Sequence, residues 1–234
     1  MYRKLVIFFA AIIALICLSF QIKVERKDIL FSIEPSFDKE ALVLNTAKYI
    51  TAKNDTLSIT TLKFYISNVV LYYDDGTEYK ELNSVHLINL DEINTLQFQI
   101  NNAPDLKIKK IRFQIGIDSL TNVSGDLTGD LDPSLGMYWA WNSGYINMKL
   151  EGRSSSCKTV KNDFQFHIGG YLPSQSALQE VSLMVPDQST TLHIKMDLSK
   201  WLNEVSLHET TAIMIPGAKA IAMSQLYKNM FTVN

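Results

Sequence analysis

The chain has 234 residues, 47% of them hydrophobic, and a formal net charge of -2. That is enough apolar material for one sizeable core without disulfide or metal support. Lys and Arg are scattered along the chain and form no stripe, which argues against a nucleic-acid partner.

Residues 1–22 stand apart from the rest. Arg3 and Lys4 precede an apolar run from Leu5 to Phe20, and polar residues follow, which is the pattern of an export signal. The run is shorter than the roughly 20 residues that span a bilayer comfortably. A cleaved signal is therefore the first reading and a retained N-terminal anchor the second. A lipid on Cys17 is disfavoured by the branched Ile16 before it. On these readings the body is exported to the periplasm or envelope and meets a membrane only through this segment. Cys157 is then left without an internal disulfide partner in an oxidising compartment, and reads as a free or buried thiol.

Residues 28–234 contain no repeat, low-complexity tract or linker and read as one domain. Alternation and β-branched or aromatic residues dominate, so the expected fold is all-β, an antiparallel β-sandwich with a few short helices. In chain order, a short helix is expected over 38–49. Two strand-like runs then flank Asp74-Asp75-Gly76, where Asp-Gly suits a tight hairpin turn. The stretch LKIKKIRFQIGID at 106–118 reads as a strand whose Lys109-Lys110 irregularity is compatible with a bulge. Further strands are expected at YINMKLEG, DFQFHIGG, EVSLMV and TLHIKMDL, with short helices at 199–203 and in GAKAIAMSQLYKNM.

Between the 106 strand and the tryptophans lies a turn-rich stretch carrying Asp118, Asp126, Asp130 and Asp132. Carboxylates in such a loop can bind calcium through oxygen, although the spacing is not that of an EF-hand; turn-forming roles are the plainer alternative. The following segment, GMYWAWNSGYINMKLEG, places Met137, Trp139 and Trp141 on one face if it is extended. Such side chains are readily oxidised by one electron, and equally they are efficient core packers.

Signatures of common enzymes are missing: no G-x-S-x-G, Walker loop, H-E-x-x-H or C-x-x-C-H occurs. A non-enzyme is expected. Four histidines remain. His167 opposes Phe164, Phe166 and Ile168 at a strand end before two glycines, a position open to a ligand. His193 opposes Leu192, Ile194 and Met196 and reads as solvent-facing. His86 shares a face with Ile88 and Leu90 and reads as buried or half-buried, while His208 lies in an irregular stretch.

The runs LKFYISNVVLYYDDG, the whole of 116–152, FHIGGYLP and the closing MFTV resemble the MbnP-like family, periplasmic copper proteins of the MopE and CorA type that partner diheme peroxidases. The resemblance spans roughly 28–234. It implies a tryptophan, Trp139 or Trp141, oxidised to kynurenine by a MauG-like diheme peroxidase, and a single copper ion held by that group together with His167. Where some relatives have a histidine two positions after the modified tryptophan, this chain has Trp141. His193 is the candidate for the second nitrogen ligand. The alternative is a structural or interaction module of the envelope with the same fold and no metal, in which both tryptophans are core anchors.

Overall fold

The computed structural model describes residues 24–186 and 189–233. The segment 1–22, read above as a signal or anchor, lies outside the described residues.

Two sheets stack face to face. The smaller contains β1 (Arg26–Phe37), β2 (Glu40–Ala41), β7 (Gln97–Pro104), β13 (Thr191–Asp197) and β15 (Phe231–Val233), in the order β15-β13-β1-β2 with β7 paired to β1. The larger is built on the long strand β4 (Thr56–Tyr73). It follows the order β12-β8-β4-β10-β11-β14, with β8 at Ile108–Ile115, β10 at Gly144–Ser154, β11 at Asp163–Gly169, β12 at Gln179–Met184 and β14 at Ala212–Ile213. Short strands β3 (Tyr49–Ile50), β5 (Glu78–Lys80) and β6 (Val85–Asn89) pair with β4, and β9 (Tyr138–Trp139) pairs with β10. The sandwich is not wholly antiparallel, because β1 runs parallel to β13 and β11 parallel to β14.

Period-two alternation builds the main core. Phe64 and Ile66 of β4, Phe164 and Phe166 of β11, and Phe31 and Ile33 of β1 all turn inward, while Phe231 of β15 meets Phe64 and Phe113 edge-on across the two layers. Short helices α1 (Ser119–Val123), α2 (Ser199–Leu202) and α3 (Ala218–Tyr227) fill the margins. None of the helices among the described residues is long and apolar enough to cross a membrane. Cys157 is a buried free thiol.

Local expectations fared unevenly. The turn after β4 forms with Gly76 at φ 87°, the single residue of the Asp-Gly pair that takes a left-handed angle. The lysine irregularity is a bulge: Tyr72 pairs with Lys110 and Tyr73 with Ile108, so Lys109 is the extra residue. The helix expected over 38–49 is absent. Asp38 takes φ 57° to turn β1 back into β2, and Asn45 takes φ 66°, angles that break a right-handed helix twice within one short segment.

One departure from a simple sandwich positions the site. Between Phe64 and Ile66, Tyr65 points out of the larger sheet, away from the main core, yet it is fully buried. The excursion between β8 and β10 folds over that outer face. With Tyr65 it makes a second apolar cluster that includes Leu131, Met137, Trp139 and Tyr145.

Candidate functional site

Three neighbouring strands present a polar ladder beside the second cluster. Register aligns Lys63 of β4 with Lys149 of β10 and His167 of β11, and the next row aligns Thr61, Glu151 and Gln165. These residues alternate with Leu62, Phe64, Met148, Leu150, Phe166 and Ile168 of the main core, so they face outward. Across the rows His167 Nε2 lies 2.6 Å from Glu151 Oε1, and the Thr61 hydroxyl donates to Glu151 Oε2 at 3.2 Å. Lys149 Nζ is 3.9 Å from the same carboxylate.

His167 faces away from the main core, as its alternation requires, but it is not open: its relative exposure is 7%. Burial lowers its pKa below the ordinary 6.5 and the Lys149 charge adds to that, against the opposing pull of Glu151. The imidazole is therefore neutral near pH 7, the form that ligates metals.

The two lysines hold the aromatic segment down. Lys63 Nζ donates to the carbonyl of Leu135 at 3.2 Å and Lys149 Nζ to that of Gly136 at 3.3 Å. Gly136 follows a 3₁₀ turn at Pro133–Leu135 and takes φ 77°, which redirects the chain into β9. Strand geometry then lasts only through Tyr138 and Trp139, which pair with Tyr145 and Gly144. The Asn142 N–H donates to the Trp139 carbonyl at 3.1 Å and closes a turn, with Ser143 at φ 48°. The two indoles are neighbours, 5.7 Å apart between centroids and tilted by 45°. A turn brings them together, in place of the continuous extended face expected from the sequence.

Their surroundings differ sharply. Trp139 is 6% exposed and Trp141 64%. The benzenoid edge of Trp139 lies on Gly169, where an added Cβ would come within 2.8 Å of Cζ3 and 3.1 Å of Cη2. Gly169 follows His167 by two positions on β11, on the same outer face, so the indole and the His167–Glu151 pair occupy adjacent places on one surface.

The other residues singled out from the sequence do not converge here. His193 pairs with Ser32 in the smaller sheet, opposite in direction to Leu192 and Ile194, and its Nδ1 lies 2.7 Å from Glu34 Oε1 at the surface. His167 and His193 thus project from opposite outer faces of the sandwich, with the main core between them. His193 does not supply a second nitrogen beside His167. His86 is half-buried as expected, stacked on Phe98 at 3.7 Å and bonded to Glu81, and His208 is exposed.

The four aspartates are each engaged in hydrogen bonds within the fold. Asp118 caps α1 by accepting from the Thr121 N–H, and it also accepts from Asn68. Asp126 accepts from Thr128, Asp130 from the Leu87 N–H, and Asp132 from the Ser134 N–H. Each of the four carboxylates already accepts from a donor of the protein itself. Among the described residues no group of three or more His, Cys, Asp or Glu side chains is placed to hold a metal ion.

The same observation limits copper. One imidazole and one carboxylate, flanked by two ammonium groups, make an incomplete donor set. A kynurenine at position 139 would add an aryl amine and a ketone to it. His167 and Glu151 by themselves supply two donors, too few to complete a copper site. Glu151 was missed in the sequence, although its alternation with Met148 and Leu150 in YINMKLEG marks it as sharing the outward row with His167.

Sequence comparison with the curated proteins found no match. Among solved structures the chain is similar to MbnP from Methylosinus trichosporium, at 13% identity, with 83% of each chain covered and a TM-score of 0.59, a likeness of fold. The family model for MbnP matches residues 26–218, from the first strand to the start of α3, including the tryptophan pair, Glu151 and His167. The chain belongs to the MbnP family.

Proposed function

We propose that this is an exported copper-binding protein, not an enzyme, whose tryptophan pair is the substrate of a partner diheme peroxidase of the MauG-like kind. The observation that carries the reading is the seating of Trp139 on Gly169, two positions along the strand from His167 and in contact with an exposed Trp141. Trp139 is the residue that becomes kynurenine, because it alone of the two lies beside the buried histidine. Its conversion removes four electrons and four protons and adds the oxygens of two water molecules; hydrolysis then releases formate. Copper would supply a redox-active or storable metal at a site held by His167 and Glu151.

The test is protein produced with its partner enzyme. The Trp139-containing peptide should gain the mass of one oxygen and lose that of one carbon, and the product should bind copper. His167→Ala should lower copper affinity at least tenfold; unmodified tryptophan in the co-produced protein, or affinity unmoved by that variant, rejects the reading.

A second reading is favoured by the contact already made between His167 and Glu151 and by the two lysines beside them. In it the ladder and both tryptophans only anchor the excursion, in an interaction module of the envelope. Replacing Trp139 by Phe would then change stability and leave metal content untouched.

A further inference from the structure

Trp139 and Trp141 touch, but only one of them meets solvent. Trp139 has Gly169 beneath one edge, belongs to the apolar cluster and is 6% exposed, whereas 64% of Trp141 is open. An oxidant as large as a protein-bound haem cannot approach the buried ring closely. It can reach the exposed one. At 5.7 Å between centroids the two π systems are near enough for an electron to pass directly.

Other oxidisable rings are close. Tyr138 packs edge-on to Tyr145 at 5.0 Å, and Tyr145 to Tyr65 at 5.8 Å. A phenol gives up an electron readily only when its proton has somewhere to go. Tyr145 donates to the carbonyls of Leu131 and Asp126, and Tyr65 to that of Asp130, acceptors that do not take a proton. Burial also raises both phenol pKa values, that of Tyr145 to about 12. These two buried tyrosines therefore hold their electrons more tightly than the indoles do.

We infer that Trp141 is an electron relay, the surface ring through which a high-valent haem oxidant withdraws electrons from the buried Trp139. The inference rests on the reading above that the pair is oxidised. In each cycle Trp141 gives one electron to the haem, which is reduced by one unit, and Trp139 then gives one electron to the Trp141 radical cation. Trp141 is restored and Trp139 bears the loss, with its proton released to water. Repeated transfers leave Trp141 unchanged and accumulate oxidation at Trp139.

Photogenerated tris(bipyridine)ruthenium(III), a bulky one-electron oxidant, tests the relay on the full exported chain without the partner enzyme. Wild-type protein should reduce it quickly, show a tryptophanyl radical by transient absorption, and carry its stable oxidation product mainly at Trp139. Trp141→Phe should slow that reduction at least tenfold, to the level of a variant with both tryptophans replaced by Phe, with melting unchanged because the ring is exposed. Trp141→Tyr should restore part of the rate, since an exposed phenol can release its proton to water. Trp139→Phe should lengthen the radical lifetime on Trp141. A Trp141→Phe protein that oxidises Trp139 at the wild-type rate overturns the relay, as does no rescue by Tyr. Failure of the partner enzyme to make kynurenine in wild-type protein would count against the proposed function alone and leave the ruthenium result standing.

Discussion

Trp139 lies on Gly169 with no room for a side chain between them. A Cβ at 169 would also come within 2.6 Å of the Tyr145 carbonyl oxygen, so neither ring nor backbone can yield without moving the other. A glycine at this strand end therefore fixes the height of the indole over the sheet, two positions along from His167. Close backbone approach is a recurrent reason for glycine within strands.

Gly169→Ala should displace the indole and destabilise the fold by about 1–3 kcal/mol, the usual cost of overpacking. Chemical denaturation gives the energy and tryptophan fluorescence the displacement, because Trp139 would move toward water. Unchanged emission with full stability would show that the ring does not rest there.

The protonation of His167 should make metal-free protein less stable in mild acid. Its folded pKa lies below the ordinary 6.5, mainly through burial, so the unfolded state takes up a proton first as pH falls. The contribution is complete above about 6.5 and declines as pH falls from there through the lower folded value. Glu151→Gln removes the one partner that favours imidazolium and should lower the folded pKa further. Titration of the His167 ring protons by NMR, giving a midpoint at or above 6.5, would contradict this.

His193→Ala should leave any copper affinity unaltered, since the side chain projects from the far sheet. Its pairing with Glu34 is half-exposed, and such pairs contribute about 0–1 kcal/mol. Titration of His167→Ala and His193→Ala side by side with copper separates the two positions; equal losses in both would contradict the placement.

Asp118→Ala should cost about 0.5–2 kcal/mol through loss of the α1 cap, as for other N-cap replacements. The loss should be the same with calcium or with a chelator present. Thermal melting in both conditions checks this, and a calcium-dependent rise in wild-type melting would restore the aspartate loop as a cation site.

Part of this architecture was legible from local chemistry. The alternation of Phe164, Phe166 and Ile168 against His167 is a property of the chain, because successive strand residues point to opposite sides whatever the sheet packs on. It correctly sends His167 and His193 away from the main core. It cannot say that they leave by opposite faces, since that depends on which sheet each strand joins, and the pairings of β11 with β10 and of β13 with β1 span long sequence separations. Nor does polarity imply exposure: His167 is buried although it faces away from the main core, beside the Glu151 carboxylate. The absent helix over 38–49 failed for a different reason, since left-handed Asp38 and Asn45 serve a β-turn return that the apolar spacing does not reveal.

What the sequence determined by itself, then, was composition, strand content, the face each side chain takes and membership of a family, all consequences of local geometry and residue type. Tertiary structure alone decided that Trp139 is buried and Trp141 exposed, that Glu151 and not His193 stands beside His167, and that the four aspartates of one loop serve a helix cap, two turns and a bond to β6. The physical reason is that contact between side chains depends on strand register and on the path of the covering loop. Both are set by the packing of the whole core and not by any segment within it.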